Sequence, residues 1–220
     1  MKRPKIIDFA ADIIMPTRCP CCGGFIMWNE KLCKKCLVSL PLCGSEERPP
    51  EGCSAAVSVF AFDGPAKEGI YALKDGWGRA FAEYAAELIS ERLRGCGAEL
   101  VTCVPMSRRK KASRGWDQAE VIAKEFAEAL GLPCDLSLLR RRYSRTEQHG
   151  LSAAGRAEFA FGQYSIAPDH ADISGKHIIL ADDVITTGST VSACASLLLS
   201  MGAADVIAAS VCRTLKRQDS

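Results

Sequence analysis

The stretch Ile178-Ile-Leu-Ala-Asp-Asp-Val-Ile-Thr-Thr-Gly-Ser-Thr190 joins an apolar run to two adjacent carboxylates and then to small hydroxyl residues around one glycine. The apolar run is typical of a buried strand in a parallel sheet, and a helix is predicted directly after the hydroxyl run. Ligands of open α/β sheets bind at the carboxyl ends of the strands. A glycine-containing loop at a helix N-terminus offers backbone N–H groups to an anion. The stretch therefore predicts a site for a phosphate monoester beside carboxylates suited to sugar hydroxyls. The loop lacks a lysine, which excludes a Walker A loop.

Strands and helices alternate on both sides of this stretch. Strands are predicted at 55–62, 100–105, 138–142, 177–181 and 205–211. Helices are predicted from about 64 to 73 and at 79–94, 117–130, 152–159 and 189–201. Asp117 and Glu120 form the pattern of a capping box at the start of one of them. This alternation predicts the α/β class, with a parallel sheet and flanking helices.

Cysteine is concentrated at the N-terminus, where residues 1–53 hold seven of the 12 cysteines. We expect residues 1–53 to form a small module that opens with an amphipathic helix, and residues 54–220 to form the α/β domain. Asp8 and Asp12 interrupt the first apolar stretch, which argues against a signal peptide and favours a cytoplasmic protein with reduced thiols. No run approaches the roughly 20 apolar residues that a membrane span needs.

Two C-x2-C pairs within this module predict a structural zinc site. The pairs are Cys19/Cys22 and Cys33/Cys36, and four thiolates on two tight turns complete a tetrahedral Zn²⁺ site with no position open for catalysis. Cys21 competes with Cys22 as a ligand, but Cys22 has the two-residue spacing and precedes a glycine. A module of this size needs the metal to fold.

The 178–190 stretch resembles the signature by which type I phosphoribosyltransferases bind 5-phosphoribosyl 1-pyrophosphate (PRPP). The resemblance implies that Asp182 and Asp183 contact the ribose hydroxyls and act at the catalytic centre. It also implies that the loop holds the 5-phosphate, through Thr186, Thr187, Gly188, Ser189 and Thr190. In that family Mg²⁺ accompanies PRPP, bridging pyrophosphate and ribose oxygens while keeping several waters.

Further segments resemble the ComF family of bacterial competence proteins. They are Val104-Pro105 with Arg109 and Arg114-Gly-Trp-Asp-Gln-Ala-Glu120, the element Gln148-His-Gly-Leu-Ser152 with Arg156, and Ala72-Leu73-Lys74 before a glycine. Trp and Asp stand where that family's pattern has Phe and Asn, and Cys43 and Cys53 stand in place of a second full cysteine pair. The resemblance implies a role in DNA uptake, with helicase or membrane-pore proteins as partners.

Basic residues near the predicted site divide into two groups. We expect Lys74, Arg109, Arg114 and Arg156 to bind PRPP, and Lys110 and Lys111 to lie on a solvated surface. A second cluster suits the phosphates of single-stranded DNA, with Trp28 or Trp116 offering a ring for base stacking. It contains Arg140, Arg141, Arg142 and Arg145, with Lys31, Lys34 and Lys35 on the cysteine module and Arg213, Lys216 and Arg217 near the end.

Two functions follow from these patterns. One is a Mg²⁺-dependent phosphoribosyltransferase with an unknown acceptor, acting in DNA uptake. The alternative is a PRPP-sensing protein that binds single-stranded DNA without turnover. Pyrophosphate release separates the two, because only an enzyme releases it.

Overall fold

The computed structural model describes residues 17–44, 48–141 and 162–215. The predicted N-terminal helix, the 152–159 helix and the predictions at Arg142, Arg145, Arg156, Lys216 and Arg217 lie outside these residues. No helix within the described ranges combines the length and hydropathy required to cross a bilayer.

A four-stranded parallel sheet forms the centre of the fold, in the order β1-β6-β5-β2. Its strands are β1 (Ala55–Ala61), β2 (Leu100–Cys103), β5 (His177–Ile185) and β6 (Asp205–Arg213). A second, antiparallel pair is formed by β3 (Leu139–Arg141) and β4 (Tyr164–Ile166). The predicted α/β class is therefore confirmed.

Helices cover both faces of the parallel sheet. They are α1 (Lys34–Ser39), α2 (Gly64–Lys74), α3 (Arg79–Arg92), α4 (Arg108–Arg114), α5 (Gln118–Leu130) and α6 (Ser189–Ser200). Apolar residues of α2, α3 and α5, such as Ile70, Phe81 and Phe126, form one core on one face. The other core contains residues of α6 and of the β3–β4 pair, such as Leu198 and Tyr164. Burial of these apolar stripes is the main stabilising contribution to such a fold.

The cysteine module is attached to the free edge of β1. Leu42 forms an antiparallel bridge with Phe60, and Cys43 N–H donates to the Val59 carbonyl at 2.9 Å. Arg92 of α3 donates to the carbonyls of Ser58 at 2.7 Å and Cys43 at 3.1 Å. Buried residues of the module belong to the same core as α2, α3 and α5. The cysteine module therefore contacts the α/β domain directly. The domain boundary between residues 53 and 54 stays a prediction.

Two elements differ from the prediction. Strand β5 was expected to end at the carboxylate pair, but pairing with β6 continues to Ile185, so the pair lies inside the strand. Residues 108–114 were assigned to no helix or strand, but they form α4, which Ser107 caps by accepting from Lys110 N–H. The run of basic residues carries no apolar stripe, and this helix buries none of its residues, so periodicity could not reveal it.

Candidate functional site

A cleft of about 220 Å³ opens where β2 ends beside the carboxylate pair of β5. The two strands are paired, and the first residue after β2, Val104, donates its N–H to the Ala181 carbonyl at 2.9 Å. The edge is therefore the carboxyl edge at which ligands of parallel sheets bind. The cleft is lined by Lys74, Val104, Pro105, Met106, Lys110, Arg114, Asp117, Gln118, Ala119, Arg141, Tyr164, Asp182, Asp183 and Thr190.

The carboxylate pair is held by a chain of polar contacts. Asp183 is mostly buried, and its Oδ2 accepts from Lys74 Nζ at 3.0 Å and from Gln118 Nε2 at 3.2 Å. Gln118 Oε1 in turn accepts from Arg114 at 3.3 Å. These contacts join α2, α4, α5 and β5 at one carboxylate. Lys74, predicted to bind pyrophosphate, therefore lies next to the predicted ribose-binding pair.

Asp182 is hydrogen-bonded to the backbone of its neighbour. Its Oδ1 accepts from the Asp183 backbone N–H at 2.8 Å. Burial raises the pKa of Asp182 well above its usual value, and the negative charge of Asp183 raises it further. A carboxylate of this kind gains from any cation or hydroxyl donor that enters the cleft, because such a group offsets the cost of charging it.

The predicted phosphate loop lies at the N-terminus of α6, as the sequence indicated. Gly188 has φ +80° and is the N-cap residue of the helix, where it has no side chain to form a cap. A Cβ at Gly188 would lie 3.1 Å from Pro50, so a side chain there would be strained and would require Pro50 to shift by a few tenths of an ångström. Thr187 Oγ1 lies 3.1 Å from Ser189 Oγ and accepts a long hydrogen bond of 3.5 Å from the Ser189 N–H. An anion at this helix N-terminus would replace that long bond and would face the positive end of the helix dipole.

The loop after β2 is fixed by the N-cap of α5. Asp117 is buried, and its carboxylate accepts from Met106 N–H at 2.8 Å and from Ala119 N–H at 2.9 Å. The predicted N-cap is confirmed, while Glu120 pairs with Lys111. Asp117 thus sets the path of the loop that borders the cleft on the β2 side.

The basic residues of α4 separate by position. Arg114 and Lys110 line the cleft, whereas Arg109 is not among the lining residues in the described part of the chain. Lys110 was predicted to lie on a solvated surface, but it lines the cleft. The difference arises because residues 108–114 coil into a helix, which brings Lys110 and Arg114 to one face.

A third wall comes from the antiparallel pair β3–β4. Arg141 donates to Gln163 Oε1 at 2.7 Å, and its guanidinium carbon lies 5.7 Å from the centre of the Tyr164 ring. Tyr164 lines the cleft together with Thr190 of the phosphate loop. Burial raises the pKa of Tyr164 to about 12, so its hydroxyl stays protonated at neutral pH.

Sequence reasoning missed several residues of this site. Gln118 and Tyr164 were given no role, Asp117 was seen only as a helix cap, and Arg141 was assigned to a surface cluster. The available signal for Gln118 was its place within the Arg114–Glu120 segment, which the family resemblance covers. Tyr164 carried no signal, because it reaches the cleft through pairing of two short strands that are distant in sequence.

The four predicted metal ligands come together in the cysteine module. The sulfur atoms of Cys19, Cys22, Cys33 and Cys36 all lie within 4.8 Å of one another. The Cys22–Cys33 distance is 3.7 Å, close to the edge of about 3.8 Å that Zn–S bonds of about 2.3 Å give in a tetrahedron. The cluster includes Cys22 and not Cys21, as predicted, and contains neither Cys43 nor Cys53.

Backbone groups prepare these sulfurs for a metal. Cys33 N–H donates to Cys19 Sγ at 3.4 Å, and Cys36 N–H donates to Cys33 Sγ at 3.4 Å. The second of these bonds is the main cause that lowers the pKa of Cys33 to about 7. Gly23, at φ +71°, closes the first turn and donates its N–H to the Cys19 carbonyl at 2.8 Å. The donor set fits a tetrahedral, thiolate-preferring ion such as Zn²⁺.

The cleft fits Mg²⁺ in a different way. Carboxylate oxygens of Asp182 and Asp183 are ligands that Mg²⁺ prefers, but Asp183 Oδ2 is already engaged by Lys74 and Gln118. The cysteines form the one metal-type cluster among the described residues. A Mg²⁺ ion here would therefore depend on oxygens of a bound ligand and on water.

Comparisons with known proteins agree on the family. The family model described as "Phosphoribosyl transferase domain" matches residues 111–220, which is half of the chain. "DNA utilization protein YhgH" of Salmonella typhimurium is 30% identical over 209 residues, covering 90% of each chain. "Competence protein F" of Haemophilus influenzae is 29% identical over 108 residues, covering 49% of this chain and 47% of that protein.

Solved structures give a weaker likeness. The glutamine PRPP amidotransferase of B. subtilis, complexed with ADP and GMP, is 22% identical, with a TM-score of 0.47. That likeness covers 66% of this chain and 30% of the amidotransferase chain. The family model and the full-length relatives, together with the parallel sheet and the four-cysteine cluster, show that the chain belongs to the ComF family of phosphoribosyltransferase-type proteins.

Proposed function

We propose that the cleft binds PRPP. One observation carries this proposal. A helix N-terminus without a side chain at its N-cap, a carboxylate pair and basic side chains meet at one edge of the sheet. These three features match the three chemical parts of PRPP: a phosphate monoester, ribose hydroxyls and a pyrophosphate. No single part of the cleft would select this ligand alone.

The proposed residue roles follow the same division. The loop with Thr186, Thr187, Gly188, Ser189 and Thr190 holds the 5-phosphate through N–H groups and hydroxyls. Asp182 and Asp183 accept from the ribose hydroxyls. Lys74 and Arg114 face the pyrophosphate, and Lys110 joins them from α4. Arg109 remains a predicted PRPP ligand, although the described cleft lining does not include it. Arg156 remains a predicted PRPP ligand that lies outside the described residues.

We further propose transfer of the phosphoribosyl group to an acceptor that the sequence does not identify. The bond from ribose C1 to the pyrophosphate oxygen breaks, a new bond forms from C1 to the acceptor, and pyrophosphate leaves with the bonding electrons. Bound Mg²⁺ would supply charge neutralisation on the pyrophosphate. Lys74 and Arg114 add fixed positive charge where negative charge develops, and Asp182 and Asp183 orient the ribose.

A role in DNA uptake is supported by the printed names of two relatives, a DNA utilization protein and a competence protein. We propose that the chain acts in the same process, in the cytoplasm, and that helicase or membrane-pore proteins are its partners there. The family membership supports this role more directly than any feature of the cleft does.

The alternative function is a PRPP sensor that binds single-stranded DNA without turnover. One surface favours it: on the cysteine module Phe25 is 66% exposed, and the Arg18 guanidinium lies 4.6 Å from the centre of its ring. Trp28, Lys34 and Lys35 are exposed on the same module. Exposed rings with nearby cations are the elements by which proteins bind single strands.

We propose that the four-cysteine cluster holds a structural Zn²⁺ ion. Cys19, Cys22, Cys33 and Cys36 would all bind as thiolates, which leaves no coordination position for a substrate. The role of the metal is then to fix the module against β1 and α3, where Lys31 also pairs with Glu87 at 2.7 Å.

Calorimetric titration of PRPP in the presence of Mg²⁺ tests the main proposal. Wild type should bind, and the double variant Asp182→Asn/Asp183→Asn should lose binding because the ribose contacts and their geometry are lost. Asp169→Asn, an exposed carboxylate away from the cleft, is the matched control and should bind like wild type. Absence of binding by folded, zinc-loaded wild type would contradict the proposal.

The enzyme and the sensor differ in one product. With PRPP and candidate acceptors, an enzyme releases pyrophosphate, and a sensor binds PRPP and releases none. Titration of a fluorescent single strand at low salt provides the complementary measurement. Loss of that binding on changing Lys34 and Lys35 to Ala would favour the sensor.

A further inference from the structure

Arg141 and Arg140 are neighbours on β3 with different surroundings. Arg140 is exposed, whereas Arg141 is partly buried and lines the cleft. Side chains alternate between the two faces of a strand, so adjacent arginines cannot both serve one surface. The sequence pattern had placed both in a cluster for single-stranded DNA. The structure separates them, with one arginine directed to solvent and one to the cleft.

Among the described residues, no carboxylate forms a salt bridge with Arg141. Its hydrogen-bond partner is the amide oxygen of Gln163, which is itself 7% exposed, and its ring partner is Tyr164. A partly buried cation whose described hydrogen-bond partner is a neutral amide gains from an anion that binds beside it.

Arg141 also shares the cleft with the phosphate loop. Tyr164, whose ring centre lies 5.7 Å from the Arg141 guanidinium carbon, lines the cleft together with Thr190, the last residue of the loop. Thr190 lies in the first turn of α6, whose N-cap residue, Gly188, has no side chain. Two sources of positive potential, the helix end and the guanidinium, therefore border the same cleft.

We propose that Arg141 is a ligand of the 5-phosphate of PRPP, acting together with the loop at the start of α6. This proposal rests on the proposed PRPP function and names one further residue of that site. One arm of the guanidinium is fixed by Gln163, so the fork is oriented before the ligand arrives. The remaining N–H groups can bind two phosphate oxygens at once, which an ammonium group cannot do.

The position predicts which part of the ligand depends on Arg141. The 5-phosphate is present in ribose 5-phosphate and in PRPP but absent from inorganic pyrophosphate. Lys110 and Arg114 belong to α4, on the β2 side of the cleft, whereas Arg141 belongs to the β3–β4 wall. Removing Arg141 should therefore weaken ribose 5-phosphate and PRPP and leave pyrophosphate almost unaffected.

Calorimetry with these three ligands, at one Mg²⁺ concentration, tests the proposal on the full chain. Arg141→Gln should weaken ribose 5-phosphate and PRPP by about tenfold or more, the range expected for a charged hydrogen bond, while pyrophosphate changes less than about twofold. Arg140→Gln, the matched control on the same strand, should bind all three like wild type. Arg141→Lys should recover part of the loss, because it keeps the charge without the fork.

Each other outcome overturns the assignment. Equal ribose 5-phosphate affinity in Arg141→Gln and Arg140→Gln would remove Arg141 from the phosphate site. A loss confined to pyrophosphate would place it at the other end of the ligand. Wild type that binds none of the three ligands would reject the proposed function itself. Thermal unfolding of each variant verifies that it is folded. If Arg141→Gln is not folded, Arg141→Lys still provides the test.

Discussion

The four-cysteine cluster takes all its ligand atoms from residues 19–36, whereas the cleft takes its lining from β5, α2, α4, α5 and the β3–β4 pair. In the cluster two tight turns bring the sulfurs together locally. In the cleft the whole sheet must form before Lys74 can reach Asp183. Short-range sites are specified by spacing, and long-range sites are specified by topology. Single substitutions should therefore have different effects at the two places, on metal content and folding in the cluster and on stability and ligand binding in the cleft.

Loss of the metal should produce the largest effect. Cys36→Ser should abolish stoichiometric zinc and lower the melting temperature by on the order of 10 °C or more, because structural zinc contributes about 10–16 kcal/mol in small modules. Native mass spectrometry gives the metal content, and calorimetry gives the melting temperature. Cys134→Ser, an exposed cysteine outside the cluster, should keep the metal. Full zinc content in Cys36→Ser would contradict the four-ligand assignment.

A change of one glycine beside the cleft should have an intermediate effect. Gly76 has φ +91°, and a Cβ there would overlap the indole of Trp116, which directly precedes Asp117. Gly76→Ala should cost about 1–2 kcal/mol for the backbone and about 1–3 kcal/mol more for the overlap, and it should weaken PRPP binding.

The control for this change isolates the backbone cost. Gly131 has φ +68° and open space around its Cβ position. Gly131→Ala should therefore show only the backbone cost of about 1–2 kcal/mol. Urea unfolding of both variants measures the difference in free energy of unfolding. Equal losses would show that Trp116 can move aside and that the cleft tolerates the change.

The smallest predicted effect is a pH-dependent gain in stability. The folded-state pKa of Asp182 is raised by burial and then by Asp183, so its protonated form favours folding and this contribution is lost as pH rises through the folded pKa. Asp182→Asn should therefore unfold at higher urea than wild type at pH 8, and the advantage should shrink toward pH 4.

The same titration series needs a control carboxylate. Asp169→Asn removes an exposed carboxylate and should follow the wild-type profile at every pH. Parallel profiles for Asp182→Asn and wild type would show that the charge on Asp182 carries no cost in the folded protein. Higher stability of Asp182→Asn at pH 8 would instead show that the Asp182 carboxylate is kept for function at the expense of stability.

The sequence was informative wherever neighbouring residues determine the structure. The C-x2-C pairs predicted which four cysteines come together, and the run from Ile178 to Thr190 predicted a strand, a loop and a helix in that order. The role of Asp117 as N-cap was also predicted, since its bond to Ala119 N–H is local. Its second bond, to Met106 N–H, joins two elements and has no sequence signal.

Where distant segments meet, sequence reasoning failed for a physical reason. Charge alone does not tell whether a lysine faces water or a cleft, so Lys110 was assigned to the surface and Arg141 to a DNA-binding cluster. Helix α4 has no buried residue and hence no periodic pattern to reveal it. The positions of Tyr164 and Gln163 depend on antiparallel pairing across a long separation, which propensities of single residues do not encode.

The bridge between Leu42 and Phe60 covers the outer edge of strand β1. β1 lies at the end of the sheet order, so residues 41–43 occupy the hydrogen-bonding side that would otherwise be open. An open strand edge recruits other chains and leads to aggregation. Chain that has lost its zinc or had its thiols oxidised would expose such an edge. The cysteine module thus covers the outer edge of the parallel sheet, and we expect zinc-depleted protein to aggregate more readily than zinc-loaded protein.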